Sequence, residues 1–156
     1  MVELISKLYR LLISVASKLQ DPLLLAVRLY WGYQFMQTGW GKLQHLDKVT
    51  QFFTSLGIPA PALNAAFVSG LELVGGALLA VGLASRLVSL LFVGDMLVAY
   101  LTADHTALVS FFGDPDKFVA AAPCTFLCAS LLILIFGPGR FALDTLVGRW
   151  FGKQPR

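Results

Sequence analysis

The chain has 156 residues, 57% of them hydrophobic and 13% charged, with a net charge of +3. Soluble domains are nearer a quarter charged, so the composition points to the membrane. The charge is too small and diffuse for a nucleic-acid partner. Two cysteines make neither a disulfide framework nor a zinc site, and the length suits one domain, residues 1–156.

Residues 3–20 carry a helical pattern with Leu4, Ile5, Leu8, Leu11, Leu12, Val15 and Leu19 on one face. Glu3, Lys7, Arg10 and Lys18 lie on the other. A leucine face opposite basic residues suits a helix lying in the headgroup region, with ordinary packing as the alternative. The periodic pattern, interrupted by bases, is unlike a cleaved signal peptide. Asp21-Pro22 then reads as an N-cap with proline in the first turn. It opens a first span over 22–41 that contains Arg28, Gly32 and Gly39 on one face.

A polar connection follows, with helical spacing from Asp47 to Leu56, a stop at Gly57, and Pro59 and Pro61 beyond it. Its aromatics suit a short helix resting at the membrane surface. The second span, 63–83, holds Glu72, and a turn at Ala84-Ser85-Arg86 leads to the third, 87–103, which holds Asp95. After a polar loop containing His105, a fourth span over 118–136 carries Pro123, Cys124 and Cys128, and Gly137-Pro-Gly ends it. Phe141 to Phe151 is a short amphipathic tail, followed by Lys153 and Arg156.

This pattern predicts an all-α fold, an integral-membrane four-helix bundle with an N-terminal amphipathic interfacial helix. Four near-continuous apolar runs are more than one small soluble core needs. Lysine and arginine concentrate in the N-terminal segment, at Arg86 and in the tail, whereas the two other loops hold Lys42, Lys48 and Lys117. The positive-inside rule then places both termini in the cytoplasm.

Ionisable groups at membrane depth are expensive and are usually paired or functional. Glu72 and Asp95 both fall near the midplane at 1.5 Å per residue. Arg28 is the expected partner of one or both. Two carboxylates against one arginine leave a negative charge, met by a proton or by Lys42. The cluster either fixes helix register or forms a catalytic, proton-handling site. Gly75 and Gly76, one turn beyond Glu72, allow close helix packing or leave room for a flat ligand. Lys42, Gly75 and Gly76 are therefore candidate ligand-binding residues. Cys124 and Cys128 are candidate redox partners, although two cysteines within one helix close a disulfide poorly. His45 and His105 make no metal site by spacing.

Taken together, Arg28 with Gly32, Gly39-Trp-Gly-Lys42, Phe53 leading to Gly57-Ile-Pro59, Glu72-Leu-Val-Gly-Gly76 with Gly82 and Arg86, and Gly137-Pro-Gly-Arg with Leu143-Asp144 resemble the DoxX family of small membrane proteins. The resemblance runs from Arg28 to Asp144. It implies a multi-pass protein of a bacterial-type cell (inner) membrane. It also implies an oxidoreductase context, since relatives are named as subunits of thiosulfate:quinone oxidoreductase or as oxidoreductases beside aromatic-ring dioxygenases. Others are linked with complexes that resist thiol and oxidative stress.

Three functions follow as expectations. The first is a membrane subunit of a quinone-linked or stress-related oxidoreductase, with quinone as the cofactor and a soluble oxidoreductase subunit as partner. The second is a non-enzymatic anchor or assembly factor for such a partner. The third is a small-solute or proton transporter, for which a homo-oligomer would compensate the short chain.

Overall fold

The computed structural model describes residues 2–150, which form eight helices and no strand. The first helix, α1, runs unbroken from Val2 to Gln44 with Pro22 inside it. The expected break at Asp21-Pro22 is therefore absent. Asp21 does not cap a helix there; its Oδ1 accepts from the Arg140 N–H at 2.9 Å. Proline removes one helical hydrogen bond, and the Lys18 carbonyl that loses its partner lies on an exposed turn. Pro22 also marks a change of environment. Residues 3–20 are almost entirely exposed, whereas Leu24, Arg28, Gly32, Phe35 and Gly39 form a buried stripe at helical spacing.

Only His45 separates α1 from α2 (Leu46–Ser55). The stop at Gly57 holds, with φ at +71°, a conformation glycine adopts without strain. Pro61 does more than stop a helix, because it sits in the first turn of α3 (Pro61–Val81). That helix ends on Gly82, whose φ is +78°, with Leu83 N–H returning to Leu78 O at 2.9 Å. This is the backbone signature of a Schellman stop. Ala84 completes the turn and α4 (Ser85–Thr102) leaves it antiparallel.

The loop after α4 holds two short helices, α5 (His105–Val109) and α6 (Pro115–Ala120). The span expected over 118–136 is interrupted. Ala121 is extended (φ −66°, ψ 138°) and α7 covers Ala122–Phe136. Pro123 has no N–H to give Val119 and disfavours helix just before it, so the chain breaks and restarts with proline in the first turn. The tail forms α8 (Leu143–Trp150); Phe151, Lys153 and Arg156 lie outside the described residues.

Four helices pack in a ring, with α1 against α3 and α7, and α4 against α7 and α3. Among the described residues, α3 and α4 are the helices long and apolar enough to cross a membrane, and α7 is apolar but shorter. The α1–α3 contact is glycine-mediated. A Cβ at Gly32 would lie 2.8 Å from Gly76 O, one at Gly76 would lie 2.6 Å from Gly32 O, and one at Gly39 would run into the Leu73 amide. At the centre of the ring Phe35 stacks on Phe92 at 3.6 Å between ring centroids. Phe126 meets Phe35 edge-on, and Leu79, Met96 and Ile133 close the core. The Trp31 indole N–H ties α1 to α7 through Thr125 O at 2.6 Å.

Candidate ligand-binding cavity

The α3–α4 hairpin is tight at its turn and open at its far end, and there it holds a cavity of about 600 Å³. Three elements build it. Along α3, Asn64, Phe67, Val68, Leu71 and Glu72 face inward; along α4, Leu91, Gly94, Asp95, Val98 and Thr102 do so. The third element is α2, whose Val49, Phe52, Phe53 and Leu56 recur at helical spacing and roof the space. That face needs a partner, because α2 has no buried residue of its own. Gly94 widens the chamber, since nothing lies within 4 Å of where its Cβ would sit. The rim is apolar and exposed at Phe52, Phe67, Leu91 and Val98.

The polar groups gather at the inner end. Gly39 lets α1 lie backbone to backbone with α3 beside Glu72, and one turn later Lys42 reaches across. Lys42 Nζ donates to Glu72 Oε1 at 2.6 Å. The pair is lopsided, with the lysine side chain 34% exposed and the glutamate 3%. Glu72 Oε2 and Asp95 Oδ2 are buried and have no hydrogen-bond partner among the described residues. Lys42, Glu72 and Asp95 all line the cavity. Such a chamber sets apolar walls against an ammonium and two carboxyl groups.

Arg28 is not among them. It is fully buried at the opposite end of the ring, beneath Gly82, and its Nη2 donates to Phe141 O at 2.8 Å. The acidic group facing it is Asp144. That carboxylate accepts from the Ala84 and Ser85 amides at 2.7 and 2.8 Å and so caps α4, while the Asp144 N–H returns to Gly82 O at 2.8 Å. Gly137 and Gly139, at φ +81° and +77°, fold the tail back into this position. The expected Arg28–Glu72–Asp95 cluster thus divides into two sites. Lys42 neutralises Glu72, and the C-terminal tail, remote in sequence, supplies the partner of Arg28.

Gly75 and Gly76 do not line the cavity either. Gly76 is filled by α1, and a Cβ at Gly75 would lie 2.9 Å from the Phe92 ring, so neither leaves room for a flat ligand. Cys124 is buried and Cys128 exposed, both as free thiols away from the cavity lining. Cys124 packs with Tyr100, whose hydroxyl donates to Phe118 O at 2.9 Å. Among the described residues no three histidine, cysteine or acidic side chains cluster as metal ligands. Sequence reasoning passed over Gly94, Asn64 and the inward face of α2. The spacing of Val49, Phe52, Phe53 and Leu56 signalled that face.

A family model, DoxX, matches residues 23–105, which include α2, α3, α4 and every cavity-lining group named above. The chain belongs to the DoxX family. As a DoxX protein it is a membrane protein. It is 32% identical to "Putative oxidoreductase CatD" of Bacillus subtilis (strain 168), over 79% of this chain and 85% of that protein. It is 26% identical to "Inner membrane protein YqjF" of Escherichia coli (strain K12), over 85% of this chain and 97% of that one. No solved structure matches it significantly.

Proposed function

We propose that this DoxX protein is the membrane subunit of an oxidoreductase system, and that its cavity takes a lipid-soluble redox carrier of the quinone class. The observation that carries the reading is the chamber itself: apolar walls, an apolar exposed rim, and Lys42, Glu72 and Asp95 at the inner end. A quinone needs a slot reached from lipid and groups that bind or move protons at its ring oxygens. Pockets that hold molecules of this size measure about 300–1,000 Å³. The name of the Bacillus relative supports the oxidoreductase part. Electrons would be exchanged with a soluble partner subunit. In the same reading the buried half of α1 together with α3, α4 and α7 crosses an inner membrane with both termini cytoplasmic, and the cavity opens toward the outer leaflet.

The test is purification in mild detergent, solvent extraction and mass spectrometry of what co-purifies, together with quinone turnover in membranes. We expect a quinone near one per protein, and a loss of turnover in Glu72→Gln membranes. Absence of any quinone combined with unchanged turnover in that variant would overturn the reading.

A further inference from the structure

We infer that the cavity selects a ligand whose polar head donates hydrogen bonds, a hydroxyl-bearing ring such as a hydroquinone or a phenol, over the matching acceptor-only quinone or ether. The inference rests on the carrier reading for the class of ligand and adds which form is held.

It follows from the donors and acceptors around the chamber. Glu72 is 2% exposed; its Oε1 is taken by Lys42 and its Oε2 by no described residue. Asp95 receives no hydrogen bond from any described residue, and its Oδ2 is fully buried. Buried acceptors are expensive to leave unmade, so a ligand group that donates to them gains more than one that only accepts. The wall donors are turned elsewhere: Thr102 gives its hydroxyl hydrogen to Val98 O at 2.7 Å, and Asn64, about two turns from Glu72 along α3, gives one of its two N–H groups to Pro59 O at 2.6 Å. The backbone amides of α3 and α4 at this depth lie within continuous helix. Among the described residues Lys42 is the one cation in the lining, and one of its three N–H groups goes to Glu72.

With both acids ionised, two carboxylates face one ammonium, so the chamber is richer in acceptors than in donors and formally negative. A ring hydroxyl suits it in both respects, since it donates to a carboxylate and accepts from a remaining Lys42 N–H. A quinone carbonyl or an ether oxygen does only the second.

The experiment uses the full-length protein in detergent and three probes with one shared alkyl tail: an alkyl hydroquinone, its benzoquinone and its dimethyl ether. Binding is measured by equilibrium dialysis, with the hydroquinone arm under anaerobic reductant and protein-free micelles as the blank. The hydroquinone is expected to bind at least about tenfold more tightly than either other probe, the factor one lost hydrogen bond at a buried acceptor produces. Asp95→Asn and Glu72→Gln each place an amide donor in the site and should narrow that ratio several-fold, with far-ultraviolet circular dichroism reporting that each is folded. Quinone or ether binding as tightly as hydroquinone overturns the inference and leaves the carrier reading standing. A ratio unchanged in both variants also overturns it. Failure of all three probes to bind overturns the carrier reading as well.

Discussion

Asp144→Ala tests whether the tail holds the ring of helices together, and its effect can be worked from contacts. Asp144 does two things. It accepts from the Ala84 and Ser85 amides at 2.7 and 2.8 Å, and it faces the fully buried Arg28. Loss of a helix cap costs about 1 kcal/mol, within a range of about 0.5–2. Asp144 is half-buried and makes no ion pair with Arg28 within 4.0 Å among the described residues, so the charge attraction adds about 1 kcal/mol at most. The sum is about 2 kcal/mol, roughly thirtyfold in the folding equilibrium.

Asp144→Asn removes the charge and one of the two caps, because its single oxygen can accept from one amide while its NH2 cannot accept from the other. It should lose about 1–2 kcal/mol. Arg28→Met combined with Asp144→Asn removes both charges and should recover part of that loss. Unfolding of the detergent-solubilised protein by denaturant, followed by circular dichroism, supplies all three numbers. A loss below about 0.5 kcal/mol for Asp144→Ala would show that the tail only decorates the hairpin.

Other outcomes follow from the same contacts. Lys42→Met leaves the buried Glu72 without its cation and should destabilise the protein by about 3 kcal/mol or more; Lys42→Met with Glu72→Leu should restore most of it in the same unfolding assay. Gly39→Ala drives a methyl into the Leu73 amide and Ser69 O, so it should cost about 1–3 kcal/mol as overpacking and move Lys42 away from Glu72; thermal unfolding in detergent checks the first effect. Gly94→Leu puts a side chain into open space and replaces a mid-helix glycine, so stability should rise by about 0.5–1 kcal/mol while dialysis shows loss of probe binding. A stable Gly94→Leu variant that binds normally would place the ligand elsewhere.

The helices were legible because apolar runs, proline placement and glycine stops are local signals. Gly57, Pro61 and Gly82 each act where the sequence suggests. The errors have specific causes. Pro22 reads locally as a helix start, but Asp21 is drawn to the Arg140 amide, 119 residues away in sequence, and the helix continues through. Pro123 sits in an apolar run that hides the break at Ala121. Glu72 and Asp95 stand out in the sequence because each is a charge in an otherwise apolar helix, and each lies ten residues from the turn (Gly82 and Ser85), which puts them at one level. Arg28 was misassigned because depth was counted along the chain, whereas its partners come from a tail whose return depends on two positive-φ glycines. The cavity was not legible, since a void depends on how far apart α3 and α4 stand, and nothing local encodes that distance.

The clasp at Asp144 has a mechanical consequence for the chamber at the other end. Glu72 and Asp95 lie on the two arms of a hairpin about 15 Å from its bend. The α3–α4 pair works as tongs, with Gly82 to Ser85 as the fulcrum and Asp144 as the rivet. A small rotation at Ala84 would displace the tips more than the base, so fastening the bend limits how far the two carboxyl groups can move apart.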